Sequence, residues 1–158
     1  MKSLIIYYSL EGNVKLLSEV MAAEIGADVL PIKLKQEIKA DSFMKYIWGG
    51  KQVMMKEIPE IEPSTVNPND YDLIIIGTPV WAFNYAPAIR SFLQSHTITN
   101  KKIALFCTHE GGPQKTLSNL EAKLPNNEIL STIDFFAPLK KNREISIEKA
   151  KTWVKNLI

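Results

Sequence analysis

The chain has 158 residues, 46% of them hydrophobic and 23% charged, with a net charge of +2 and one cysteine, Cys107. That length suits one domain over residues 1–158 and is short for two, and a charge so small and dispersed gives no nucleic-acid footprint. No apolar run is long enough to span a membrane and no leader pattern is present, so the expected location is cytoplasmic, while a lone thiol excludes an internal disulfide or a cysteine metal cluster.

The first strand is expected at Ser3-Leu4-Ile5-Ile6-Tyr7-Tyr8, a short apolar run suited to burial on both faces of a parallel sheet. It runs into Ser9-Leu10-Glu11-Gly12-Asn13-Val14, after which Leu16, Leu17, Val20, Met21 and Ile25 recur at helical spacing as far as Gly26. A polar turn entering a helix gathers backbone N–H groups at the positive end of the helix dipole, where a phosphate can sit without a basic side chain. Gly12 gives the turn its backbone freedom and Ser9 adds a hydroxyl donor. The competing reading is an ordinary strand-to-helix turn that binds nothing, since Gly and Asn are common turn residues.

Residues 27–33 fit a second strand at the sheet edge, where Pro31 is tolerated. From 34 to 70 the pattern is weaker. Phe43, Met44, Ile47 and Trp48 form a helical stripe ending at Gly49-Gly50, and Pro59, Pro63 and Pro68 then punctuate an extended stretch. So long a connection is expected to lie partly over the surface as a flap, with Trp48, Met54 and Met55 as packing residues.

Asp72-Leu73-Ile74-Ile75-Ile76-Gly77 reads as a central third strand. It leads into Thr78-Pro79-Val80-Trp81-Ala82-Phe83-Asn84-Tyr85 and a helix from about Ala86 to Ser95 with Pro87 in its first turn. Three aromatics in a loop either pack on the sheet end or face a ligand. A fourth strand at Ile103–Cys107 precedes Thr108-His109-Glu110-Gly111-Gly112-Pro113 and a helix near 114–124. Glu128 to Phe136 is the fifth strand, and Ile145 to Ile158 closes the chain as a helix. Lys140-Lys141-Asn142-Arg143 between them is expected to be a solvated loop.

Strands alternating with helices predict an α/β doubly wound fold, a five-stranded parallel sheet of order 2-1-3-4-5 with helices on both faces. In that order the loops after strands 1, 3 and 4 meet outside one sheet edge, where such sheets bind ligands. A phosphate turn, an aromatic loop and a glycine-rich loop side by side suit a flat aromatic group bearing a phosphate, with its ring against Trp81. Such stacking is worth about 1–3 kcal/mol. Gly111-Gly112 would let backbone approach the ring.

The runs Ser9-Leu10-Glu11-Gly12-Asn13, Gly77-Thr78-Pro79-Val80-Trp81 and Thr108-His109-Glu110-Gly111-Gly112 resemble the flavodoxin family, and the resemblance extends from about Lys2 to the end. It implies non-covalent binding of FMN. Ser9, Leu10, Glu11, Gly12, Asn13 and Val14 would hold the phosphate, while Thr78, Pro79, Val80, Trp81, Ala82, Phe83 and Asn84, with Thr108, Glu110, Gly111 and Gly112, would flank the isoalloxazine ring. Backbone groups of Ala82 to Asn84 would meet the N5 side, and Asn84 is a residue able to tolerate a left-handed conformation where the loop requires one. The phosphate loop of the family usually carries hydroxyls where this chain has Glu11 and Val14, and its electron shuttles are acidic where this chain is slightly basic.

The resemblance implies a redox protein that transfers electrons between cellular partners. Two alternatives stay open: an FMN-dependent NAD(P)H:quinone-type oxidoreductase, closer around Phe83-Asn84-Tyr85 and Glu110-Gly111-Gly112, and a non-catalytic binding module that has lost FMN. Expected partners are redox proteins, or NAD(P)H and quinone, with no nucleic acid and no membrane. The cofactor carries the chemistry, so no protein acid, base, nucleophile or metal is required. His96 and His109 are expected at the surface and Cys107 in the core. Neither G-x-G-x-x-G nor G-x-x-x-x-G-K-[ST] follows the first strand, which excludes the dinucleotide-binding and P-loop patterns.

Overall fold

The computed structural model describes residues 1–36 and 58–158. Its elements are β1 (Ser3–Tyr7), α1 (Asn13–Ile25), β2 (Asp28–Pro31), a 3-10 turn (Pro68–Asp70), β3 (Leu73–Trp81), β4 (Asn84–Tyr85), α2 (Pro87–Ser95), β5 (Lys102–His109), α3 (Thr116–Glu121), β6 (Glu128–Phe136) and α4 (Arg143–Lys155). Five parallel strands lie in the order β2-β1-β3-β5-β6, and β4 pairs antiparallel with the end of β3. Counting the parallel strands alone, this is the expected 2-1-3-4-5 order.

The period of two along each strand divides the core into two layers. Leu4, Ile6, Ile74, Ile76, Ile103 and Leu105 point to one face and pack with Ile89 and Phe92 of α2 and Leu120 of α3. Ile5, Tyr7, Leu73, Ile75, Ala104 and Phe106 point to the other, against Val14, Leu17 and Met21 of α1 and Ala150 and Val154 of α4. Each fully buried aliphatic or aromatic side chain contributes about 1.5–3 kcal/mol, so the continuous apolar runs of β1, β3 and β5 are what drive the helices onto both faces. An ion pair of Lys155 with Glu24 at 2.7 Å ties α4 to α1. No helix among the described residues is long and apolar enough to cross a membrane.

Gly77 sets how closely α1 approaches the sheet. A Cβ there would overlap the Phe106 ring and lie 2.9 Å from Val14 Cγ1, so only the absence of a side chain lets the first turn of α1 sit over the middle of β3.

Several boundaries differ from the sequence reading. β3 runs four residues past Gly77, because Val80 and Trp81 pair with Tyr85 and Asn84 and turn the expected loop into a hairpin. β5 also runs on to His109, and α3 is shorter than expected. In the 34–70 connection, Leu34 bridges Ile61 antiparallel, Lys35 N donates to Glu60 O at 3.0 Å and Glu62 N to Lys33 O at 2.7 Å. The stripe of Phe43, Met44, Ile47 and Trp48, the Gly49-Gly50 stop, and Met54 and Met55 lie outside the described residues.

Candidate functional site

Strand register decides which loops meet. Tyr7 lies opposite Gly77, Pro79 opposite Thr108 and His109 opposite Phe136. The segments leaving β1, β3, β5 and β6 therefore emerge at one edge of the sheet. Gly12, the 82–83 turn and Gly111-Gly112 share that edge, as the sequence pattern predicts.

The first segment is a left-handed turn: Gly12 has φ 99° and its N–H donates to Ser9 Oγ at 3.2 Å. Ser9 thus accepts a bond within the turn as well as carrying a proton of its own. No side chain caps α1. The N–H groups of Asn13, Val14 and Lys15 lack intrahelical acceptors by the geometry of a first turn, and the helix dipole adds partial positive charge there. The side chains of the turn mostly look elsewhere. Val14 is 1% exposed in the α1 core layer, Leu10 packs on the opposite layer, and Asn13 Oδ1 accepts the N–H of Leu139 at 3.0 Å. Glu11 is exposed. The donors this turn offers are backbone amides, and Val14 takes part through its N–H alone.

In the second segment the two-residue turn is Ala82-Phe83, both left-handed at φ 46° and 68°. A hairpin loop of two residues with positive φ at both matches the strand twist, but it favours Asn and Gly, so Ala and Phe here hold strain of order 1–3 kcal/mol each. The left-handed residues are thus Ala82 and Phe83, and the tolerance of Asn84 for that conformation is not used: Asn84 is in β4, and its Oδ1 accepts from Tyr85 N at 2.9 Å and from Asn119 Nδ2 at 3.3 Å. Thr78 is buried, with its hydroxyl donating to Pro79 O and accepting from Ala86 N, both at 2.9 Å. It fastens the hairpin to the start of α2. Pro79 and Val80 are half-buried.

The ring expected to stack on a ligand is turned inward. Trp81 is 4% exposed and meets Tyr8 edge to face, with centroids 5.4 Å apart. Phe83, at the tip of the hairpin, is 71% exposed. The indole is packed in the core at the strand ends, and the ring presented outward is the phenyl.

The third segment is shaped by a histidine that sequence reasoning placed at the surface. The His109 side chain is 8% exposed, its Nε2 lies 2.7 Å from Asp134 Oδ2, and its Nδ1 accepts the N–H of Gly112 at 2.9 Å. Gly112 has φ 112°, which requires glycine, while a Cβ on exposed Gly111 would meet nothing within 4 Å. Thr108 is buried and Glu110 exposed. Cys107 is fully buried as expected, and burial, with the nearby Asp134 charge, pushes its thiol up to about 12. His96 stacks on Phe92 at 4.2 Å at the far end of α2, away from this edge.

Sequence reasoning missed a fourth segment, residues 137–142 between β6 and α4. Besides the Asn13–Leu139 bond, Ala137 N donates to His109 O at 2.8 Å and Lys140 Nζ lies 3.4 Å from Glu110 Oε1. The basic cluster read as a solvated loop lies between the phosphate-type turn and the glycine loop and brings cations to that edge. Its basic residues were visible, but the partners lie up to 126 positions away in sequence.

Comparison with known proteins identifies the family and the fold. The family model described as Flavodoxin matches residues 2–157. A flavoprotein from Lactobacillus acidophilus NCFM, solved in complex with FMN, is 27% identical, with 84% of this chain and 92% of that chain covered and a TM-score of 0.67. The apo form of the Lactobacillus acidophilus flavoprotein gives 26% identity, coverage of 89% and 95%, and a TM-score of 0.64. A structure from Bacteroides eggerthii gives 22% identity, coverage of 99% and 97%, and a TM-score of 0.78, a likeness of fold.

Proposed function

Because this chain belongs to the flavodoxin family, we propose that it binds FMN and passes electrons between cellular redox partners. The observation that carries this reading is the uncapped first turn of α1 opening at the same sheet edge as the strained Ala82-Phe83 turn and the Gly111-Gly112 loop. The donor set fits the group. Orphan amides of a helix N-terminus suit a phosphate dianion, glycine backbone beside open space suits a flat ring, and an exposed phenyl suits stacking.

In this reading Ser9, Leu10, Glu11, Gly12, Asn13 and Val14 surround the phosphate, with the amides of residues 13–15 as donors. Phe83 takes the stacking role expected of Trp81, whose ring packs beneath the hairpin instead. Residues 78–84 and 108–112 flank the ring. When bound, FMN supplies the redox chemistry, in one-electron or two-electron steps. The chain's own part is to hold the phosphate with uncharged donors, to fix two loops of left-handed backbone around the ring, and to keep water from its covered face. Lys140 of the 137–142 segment offsets the Glu110 carboxylate at this edge, and the backbone of Leu139 fixes Asn13 at the start of α1, so the turn depends on its amides where Glu11 and Val14 supply no hydroxyl.

The test is a visible spectrum of the purified protein, alone and with added FMN, followed by anaerobic reduction. Binding with quenched flavin fluorescence, and re-oxidation by a redox protein faster than by quinone, is the expected result. Rapid NADPH oxidation coupled to a quinone would assign the oxidoreductase instead, and a protein that takes up no FMN would be a binding module of another kind.

A further inference from the structure

His109 is held between two groups that make opposite demands. Gly112 N–H can only donate, so His109 Nδ1, 2.9 Å away, carries no proton, and the ring proton sits on Nε2, pointing at Asp134 Oδ2 at 2.7 Å. A neutral imidazole in the Nε2–H form satisfies both partners. A protonated imidazole still satisfies Asp134 but presents N–H to N–H at Gly112.

We propose that His109 is the positioning residue of the 109–112 loop, holding Gly112 in place only while neutral, so that the grip of this loop on a flavin ring loosens as pH falls. This rests on the functional reading above, in which that loop flanks the ring. The argument is local and geometric. The His109 side chain is 8% exposed, and Gly112, in the left-handed region at φ 112°, has its N–H on the imidazole, so losing that acceptor costs the loop a hydrogen bond made inside the protein. The charged groups around the ring come from three elements besides its own. Asp134 of β6 faces Nε2. Lys149 of α4 donates to Asp134 O at 2.7 Å, so it binds the backbone and leaves the carboxylate to the imidazole. Glu110 is paired with Lys140, and Lys141 lies over the Phe136 ring, whose centroid is 6.0 Å from that of His109. On β5 itself, the neighbouring Cys107 thiol stays protonated at neutral pH.

The two ring nitrogens can be imitated separately. His109→Asn places an oxygen where Nδ1 was and keeps the acceptor for Gly112 without titrating. His109→Phe keeps the ring and removes both bonds.

The experiment is NMR of the 15N-labelled apo protein across pH 5–8, reading the His109 ring nitrogens and Gly112 amide exchange. It is paired with titrations of FMN and of riboflavin, which lacks the phosphate and its own protonation. In the native chain the ring is expected in the Nε2–H form at high pH, and the protection of the Gly112 amide, its exchange corrected for the intrinsic base-catalysed rate, should fall through the same midpoint at which the ring gains its second proton. Affinity for both flavins should fall about tenfold across that midpoint. His109→Asn should keep Gly112 protected and flavin affinity level, and His109→Phe should bind like the acid form at every pH. An Nδ1–H ring, or Gly112 exchange indifferent to ring protonation, would overturn the proposal. Gly112 exchange that follows the ring while riboflavin affinity stays level would overturn its cofactor half and leave FMN binding standing. No flavin binding at any pH would overturn the functional reading and the cofactor half together, and the amide readout would still decide the role of His109.

Discussion

The side-chain oxygen of Asn13 accepts the backbone N–H of Leu139 at 3.0 Å, joining the turn after the first strand to the segment after the last. Asn13→Ala leaves that half-buried N–H without an acceptor and is expected to cost about 1–2 kcal/mol, read as a lower denaturant midpoint. Asn13→Asp keeps the acceptor and adds a negative charge at the start of α1, which favours the helix and opposes a phosphate. Stability at or above the native level with weakened FMN binding is the expected result for Asp. Equal FMN affinity in the Asp variant and the native chain would place the phosphate elsewhere.

Gly77 leaves no room for a side chain. Any side chain there meets the Phe106 ring and Val14 Cγ1, and the neighbours lie in the packed α1 core layer. Gly77→Ala is expected to destabilise by about 1–3 kcal/mol through overpacking, and Phe106→Leu in the same chain to restore part of the loss. Urea unfolding of the two single variants and the double variant checks the coupling; strict additivity would mean the overlap is relieved by a backbone shift elsewhere.

The fold was legible because β1, β3 and β5 are uninterrupted apolar runs, a pattern that fits a central parallel strand and little else. Gly12 and Gly111-Gly112 were legible for a similar reason, as glycines placed just past such runs. The hairpin was not. Ala82-Phe83 carries none of the Asn-Gly chemistry that marks a two-residue turn, so the sequence alone ends β3 at Gly77 and points to Asn84 as the residue that tolerates left-handed backbone. Trp81 reads as a ligand-facing ring in the sequence because an aromatic in a presumed loop looks exposed. Its burial against Tyr8 depends on strand pairing past Gly77, which one strand's sequence does not encode. The burial of His109 against Asp134 and the bonds that tie the 137–142 segment to Asn13, His109 and Glu110 were not legible because the partners are remote in sequence.

The alkaline limb of stability is expected to carry a signature of Cys107. Its thiol is raised from 9.0 to about 12 by burial. A raised folded-state value means the stabilisation is complete below about pH 9, where the unfolded thiol still holds its proton, and is lost as pH climbs toward about 12. Tyr71, raised by its hydrogen bond to Asp28 at 2.7 Å, acts in the same direction. Cys107→Ala should therefore flatten, without abolishing, the fall in denaturant midpoint above pH 9. An unchanged slope would mean the thiol is already ionised in the folded chain.

The Ala82-Phe83 turn and the two rings beside it separate binding from folding. Replacing the pair by Asn-Gly should relieve the left-handed strain and raise stability by about 1–2 kcal/mol, while removing the exposed phenyl. Phe83→Ala alone, at a position 71% exposed, should leave the thermal midpoint nearly unchanged and weaken FMN binding by about 1–3 kcal/mol, with flavin fluorescence partly restored. Trp81→Ala empties a site 4% exposed and should cost about 3–5 kcal/mol of stability. Calorimetry and fluorescence titration on the two single variants give a clear contrast. Full FMN affinity in Phe83→Ala, with affinity lost in a still-folded Trp81→Ala, would return the stacking role to the indole and require the hairpin to open on binding.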